Sequence, residues 1–172
     1  DPDFKYLWGL KNAAHPGVDM KACEAWTLTR GAGVNVAVID QGIQREHRDL
    51  AANMHLFSFD SETDPRDSIP SNYMYTYPHG TQVAGVIAAV KDNHLQVVGI
   101  APEAKILGIG NRLRSDNPKL AEELANGFYW AIEHQADIIN NSWGENQQGN
   151  LHSSLLEEAM EDALTKGRGG KG

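Results

Sequence analysis

Val34-Asn35-Val36-Ala37-Val38-Ile39, running into Asp40-Gln41-Gly42, is the stretch that decides the fold. It is bounded by Gly33 and Gly42 and rich in β-branched residues. A strand with one wet face alternates apolar and polar residues. A near-continuous apolar run instead marks a strand buried on both faces, as in parallel sheets covered by helices. Lys-Ile-Leu-Gly-Ile at 105–109 reads as a second buried strand, and Asp-Ile-Ile-Asn at 137–140 as a third strand.

Helical periods separate and follow these runs. Val83, Val86, Ile87 and Val90 recur at i, i+3, i+4, i+7, with Gly80, Ala84 and Ala88 making a small opposite face suited to close packing. Leu120, Leu124, Phe128, Ala131 and Ile132 form the stripe of a second helix. Asn117 is its N-cap and Pro118 its first residue, with Glu122 and Glu123 near the positive end of the dipole. Leu155, Leu156, Ala159, Met160, Ala163 and Leu164 line a third, opened by a capping box from Ser154 to Glu157. The spacing also predicts a short helix within 19–29, a long loop over 57–78 and a short strand over 97–100. The strand–helix alternation predicts an α/β parallel sheet with right-handed crossovers and helices on both faces.

Composition narrows the class. Over 172 residues the hydrophobic fraction is 41% and the charged fraction 22%, which excludes a disordered, collagen-like or coiled-coil chain. No apolar run approaches the ~18–20 residues of a membrane span. A formal net charge of −8 argues against a nucleic-acid partner and suits a cation. Cys23 is the single cysteine, so no intrachain disulfide is expected. The sequence opens at Asp1 without a leader-like apolar region, and reads as a piece of a longer product.

In open α/β sheets the working groups gather at the carboxyl ends of the strands. Asp40 ends the first strand, His79 opens the first long helix, and residues 140–144 leave the third strand. A carboxylate bonded to imidazole Nδ1–H fixes the tautomer and leaves Nε2 free to take a proton. On residue type alone an aspartate after a strand is more often a turn residue, and a histidine at a helix start more often structural.

The local strings favour the chemical reading. Val38-Ile39-Asp40-Gln41-Gly42-Ile43, followed by His47-x-Asp49-Leu50, resembles the aspartate motif of the subtilisin-like serine proteases (subtilases). Gln41 stands where that family usually has Ser or Thr. His79-Gly80-Thr81-Gln82-Val83-Ala84-Gly85 resembles the histidine motif, with Gln82 in place of a second His. Gly99-Ile100-Ala101-Pro102 and Asn140-Asn141-Ser142-Trp143-Gly144 match two further landmarks, in the family's order and at about its spacing. The resemblance runs across the whole chain.

It implies a secreted or cell-surface endopeptidase acting on polypeptide substrates with an Asp/His/Ser triad. Asp40 would orient the base and His79 would be the base. Ser142, Trp143 and Gly144 would pair with substrate backbone and wall the P1 pocket, so Ser142 is not the nucleophile. The family's Gly-Thr-Ser nucleophile motif and its oxyanion Asn do not occur in these residues. The expectation is therefore a partial catalytic domain, cut before its last strands and serine-bearing helix and inactive alone. Its partners would be a propeptide and a downstream segment completing the domain. The resemblance also implies a structural calcium held by Asp1, Asp49, Val90, Asn93, Leu95 and Val97, two carboxylates, an amide oxygen and three carbonyls being hard ligands. Asp60, Asp64 and Asp67 are a weaker candidate for a second ion, since acidic loops usually just face water. Two rivals stand beside this reading. A dinucleotide-binding domain would need Gly-x-Gly-x-x-Gly after the first strand, where this chain has Asp40-Gln41-Gly42. A protease-like binding or scaffold protein would keep the fold without the serine.

Overall fold

The computed structural model describes residues 1–63, 75–144 and 153–172. Four parallel strands form one sheet in the order β2-β3-β1-β4: β1 (Asn35–Asp40), β2 (Met54–Asp60), β3 (Lys105–Gly110) and β4 (Ile138–Asn141). β1 is central, pairing Asn35 to Asp40 with Lys105 to Gly110 on one side and Val36 to Ile39 with Ile138 to Asn141 on the other. The helices are α1 (Ala22–Ala25), α2 (His79–Ala88), α3 (Leu120–Glu133) and α4 (Ser154–Gly170). Beyond Leu164, α4 is broken by non-helical backbone at Gly167, Arg168 and Gly169.

The pleat explains the unbroken apolar run. Val36, Val38 and Ile106 lie in one buried cluster with Ala84 and Ala88 of α2. Ala37, Ile39, Leu107 and Ile109 lie in the other, with Leu124 and Phe128 of α3 and Leu156 and Ala159 of α4. Both faces of β1 are therefore dry, which only apolar residues on both parities tolerate. The small side of α2 is the one buried, while Val86 is 71% exposed.

Four local expectations are corrected. Residues 57–60 are not loop: they belong to β2, an edge strand whose register against β3 shifts between Met54 and Ser58. The shift destroys the period of two and pushes Leu56 and Phe57 outward, so no strand pattern survives in the sequence. Arg45 compensates, donating to the His55 and Leu56 carbonyls at 2.8 and 2.9 Å and to Ser58 Oγ at 3.1 Å. The remainder of that predicted loop, residues 64–74, lies outside the described residues.

Residues 97–100 form no strand. The amides of Gly99, Ile100 and Ala101 donate instead to the carbonyls of Ala89, Val86 and Ile87, satisfying the C-terminal end of α2. A Cβ on Gly99 would come within 2.4 Å of the Ala88 nitrogen, so the approach requires glycine. α3 begins at Leu120 rather than Pro118. Asn117 Oδ1 accepts the Lys119 amide at 3.0 Å, closing a turn just before the helix. The N-cap of α4 is Ser153 and makes no side-chain cap bond, so the anticipated capping box does not form.

The β2 edge carries a titratable group. His55 Nδ1 accepts the Phe57 amide at 3.2 Å. Phe57 bridges the rings of His55 and His134, and His134 stacks on Trp130 at 3.8 Å. Burial first, and then the neighbouring His134, Arg45 and Lys105 cations, hold His55 below its ordinary value of 6.5. The unfolded chain thus binds this proton more readily. Its contribution to stability is intact above about pH 6.5 and is lost as pH falls below it. Urea midpoints at about pH 7.5 and about pH 5.5 should differ less in His55→Gln than in the parent. An equal acid loss in both proteins would remove His55 as its source.

Candidate active site

Asp40 is the last residue of β1, and its carboxylate is fully buried. A buried carboxylate needs close donors or it costs several kcal/mol. It has two. The Gln41 amide donates to Oδ1 at 2.7 Å, and His79 Nδ1 lies 2.9 Å from Oδ1 and 3.0 Å from Oδ2. His79 is the first residue of α2, with half its side chain exposed. Among the described residues no hydrogen bond reaches Nε2. With Nδ1–H donated to the carboxylate, Nε2 presents a lone pair toward solvent. Chemically, this is an imidazole set up to accept a proton from an incoming hydroxyl and to be stabilised as imidazolium while it holds it.

The contact depends on how closely α2 approaches β1. A Cβ on Gly80 would lie 2.4 Å from the Gly42 carbonyl oxygen and 3.1 Å from Asp40 Cβ. Thr81 is buried beside it, its Oγ1 accepting the Gln44 amide at 3.0 Å. The chain after Asp40 is thereby tied to the first turn of the helix.

Asn141 is the register partner of Ile39, so residues 142–144 leave the sheet at the level of Asp40. Ser142 and Gly144 are exposed there, and Asn140 Nδ2 donates to Ser142 Oγ at 3.0 Å. Trp143 is half-buried. Its indole Nε1 donates to the Ile39 carbonyl at 2.9 Å and its ring packs against the cluster under α3 and α4. The indole therefore fastens the exit of β4 to β1.

The calcium candidates come together in part. Asn93 Nδ2 donates to Asp49 Oδ1 at 2.7 Å, Asn93 Oδ1 accepts the Leu95 amide, and the Val90 amide donates to the Asp49 carbonyl. Asp49 and Val97 line one groove. Asp1 reaches the same loop through Oδ2, which accepts the Asp92 amide at 2.9 Å. Asp1 Oδ1 is buried and, among the described residues, is the buried side-chain polar atom left without a hydrogen bond. An orphaned anionic oxygen suits a hard cation, and among the described residues Asp1 is linked to the Asp49–Asn93 pair only through the neighbouring Asp92. Among the described residues no three His, Cys, Asp or Glu side chains group to hold a metal, so carbonyls would have to complete any such shell. Of the weaker set, Asp60 is buried and its Oδ1 accepts the Glu62 amide, while Asp64 and Asp67 lie outside the described residues.

Sequence reasoning missed Asn111, fully buried just past β3, whose amide donates to the Asp40 carbonyl at 2.8 Å. A polar residue directly after a buried strand, like Asp40 itself, was the available signal.

Known proteins resemble the chain in sequence and in fold. The model of the Subtilase family matches residues 31–171. Neuroendocrine convertase 2 of Rattus norvegicus is 33% identical over 189 aligned residues, covering all of this chain and 28% of its own length. Among solved structures, a protease from Pseudoalteromonas arctica superposes with a TM-score of 0.75 at 28% identity, covering 95% of this chain and 55% of its own. Fervidolysin from Fervidobacterium pennivorans, a keratinolytic enzyme related to subtilisin, gives 0.63 at 32% identity, covering 92% of this chain and 22% of its own. The chain thus spans about half of the first structure and about a quarter of the convertase.

Gly80→Ala tests the close approach. It should destabilise the fold by ~1–3 kcal/mol in urea titration, because the added methyl must push α2 off β1. A loss within ~0.5 kcal/mol, the range of ordinary surface changes, would show that the helix start has slack.

Proposed function

The chain belongs to the subtilase family, and we propose that it is the aspartate- and histidine-bearing part of a subtilisin-type serine endopeptidase, with His79 as general base and Asp40 as its orienting carboxylate. The single observation that carries this is the buried Asp40 carboxylate hydrogen-bonded by His79 Nδ1 at the C-terminal edge of a parallel sheet. His79 Nε2 takes the proton of a serine hydroxyl supplied by a downstream segment as that oxygen attacks the peptide carbonyl. The same nitrogen then returns the proton to the leaving amine. Asp40 keeps the ring in the Nδ1–H tautomer throughout. Ser142, Trp143 and Gly144 line the substrate side of the cleft, where Ser142 and Gly144 stand exposed at the level of Asp40. The substrate is a polypeptide, the setting is secretory or cell-surface, and a propeptide accompanies the domain. Among the described residues no helix is long and apolar enough to cross a membrane.

The activity test compares two proteins, residues 1–172 alone and the complete protease that carries them. Each is assayed with an unspecific peptide substrate and a serine-directed fluorophosphonate probe. Turnover and labelling should appear only in the complete protein, and His79→Ala should cut kcat by at least ~10²–10⁴-fold. Labelling of residues 1–172 alone that disappears in Ser142→Ala would move the nucleophile to Ser142. A complete protein that folds but neither labels nor turns over would favour the scaffold reading.

Calcium is part of the same proposal, held by Asp1, Asp49, Asn93 and the carbonyls of Val90, Leu95 and Val97. It would supply a charge that ties the 90–97 loop to the body of the fold. Stabilisation should grow with free calcium, reaching ~2.7 kcal/mol at a hundred times Kd. Asp49→Ala should remove the difference between melting curves taken with calcium and with chelator. Superimposable parent curves in the two conditions would remove the metal.

A further inference from the structure

The exit of β3 carries a polar knot that the acid–base pair alone does not require. Asn111 Nδ2 donates to Ser61 Oγ at 3.0 Å and to Glu123 Oε2 at 2.9 Å, while its Oδ1 accepts the Leu113 amide at 2.8 Å. Ser61 Oγ donates onward to the Gly110 carbonyl at 3.0 Å, and Asn117 Nδ2 shares Glu123 Oε2 at 2.8 Å. One buried amide thus joins the end of β2, the end of β3 and the first turn of α3. Leu113 is held at a φ of 54°, a left-handed conformation that is costly for leucine and persists only where its surroundings over-determine it. Spending buried polar groups and backbone strain at the C-terminal edge of the sheet calls for a purpose at that edge.

The knot reaches Asp40 through the backbone. The Asn111 N–H donates to the Asp40 carbonyl at 2.8 Å. The other end of the same peptide unit, the Gln41 N–H, donates to Asp40 Oδ1 at 2.7 Å. A peptide unit is planar, so fixing its carbonyl fixes its amide. That amide selects the carboxylate orientation in which both oxygens face His79 Nδ1. A bridge between Gln41 and Gly110 braces the same corner. The geometry points to Asn111 as a positioning residue for the Asp40–His79 pair. Its side chain anchors the β3 exit, its N–H clamps the 40–41 peptide, and the clamped peptide aims the carboxylate. Asn111 acts through Asp40 and touches neither His79 nor substrate. The inference rests on the reading of Asp40 and His79 as the acid–base pair.

The test uses the complete protease, comparing Asn111→Ala with Leu124→Ala, a buried α3 residue beside Glu123 that lowers stability without touching the knot. kcat and KM are measured per titrated active site, and the low-field proton resonance of His79 Nδ1 is recorded by NMR. Asn111→Ala should lower kcat ~10²-fold with KM little changed, the penalty for a misplaced catalytic group, and should weaken that resonance. Asn111→Asp, which removes both donors, should behave alike. Leu124→Ala should lower the melting temperature and leave kcat per site and the resonance intact. A parental kcat and resonance in a folded Asn111→Ala, or an equal loss in Leu124→Ala, would overturn the inference. If Asn111→Ala does not fold, Ser61→Ala removes one anchor, and an unchanged kcat there overturns it equally. A His79→Ala protein as active as the parent would sink the acid–base reading and this inference with it. A dead His79→Ala beside a fully active Asn111→Ala would sink this inference alone.

Discussion

A carboxylate without solvent, at the end of the central strand, is the constraint around which the site is arranged. Asp40 ends β1 with none of its surface exposed, so its charge must be met by donors at hydrogen-bond distance. The Gln41 amide meets one oxygen and His79 meets both. Meeting them requires α2 to start almost against the strand. That leaves room for nothing larger than hydrogen at Gly80, and for small residues at Ala84 and Ala88 further along the same face. The chemistry and the packing of α2 are therefore one requirement seen from two ends.

The same closeness recurs at the other end of the helix. The amides of Gly99, Ile100 and Ala101 cap the last carbonyls of α2, and Asn53 Nδ2 donates to the Ala88 and Pro102 carbonyls at 2.9 and 2.7 Å. The helix is short, ten residues, and too short to be stable alone. Its position is set by these backbone bonds and by the sheet beneath it. On the opposite face of the sheet α3 and α4 bury large side chains, including Phe128 and Leu156, around Ile39 and Ile109. The two faces thus differ in kind: a tight, small-residue contact that places a histidine, and a bulky core that supplies most of the apolar burial.

At the carboxyl edge of the sheet, polar groups are joined rather than merely clustered. Trp143 Nε1 holds the Ile39 carbonyl and the Asn111 amide holds the next carbonyl along, that of Asp40. Exits from β4 and β3 are thereby stitched to the last two peptides of β1. An aspartate at a strand end is ordinarily free to choose among rotamers. Here the backbone on either side of it has little freedom left, so the fold sets the direction of the carboxylate.

Much of this was legible in the residues themselves. An apolar run on both parities, rich in β-branched residues and bounded by glycines, reads as a strand dry on both faces, so β1 and β3, and the α/β class, follow from the order of residues. Four strings, around Asp40, His79, Gly99 and Ser142, identified the family, because each holds particular residues for local reasons: glycine where backbones touch, and an aspartate and a histidine that meet in a hydrogen bond. What stayed hidden depended on neighbours distant in sequence. β2 has no readable period, since a register shift against β3 and a clamp from Arg45 make it a strand. Residues 97–100 look like a strand by composition, yet their amides find the end of a helix first. The pairing of Asp49 with Asn93, the orphaned oxygen of Asp1 and the hold of Asn111 on Asp40 are likewise properties of folded backbone. Sequence determines which groups are present and which local geometry they prefer. Hydrogen bonds between segments tens of residues apart are settled only when tertiary packing fixes distance and direction together.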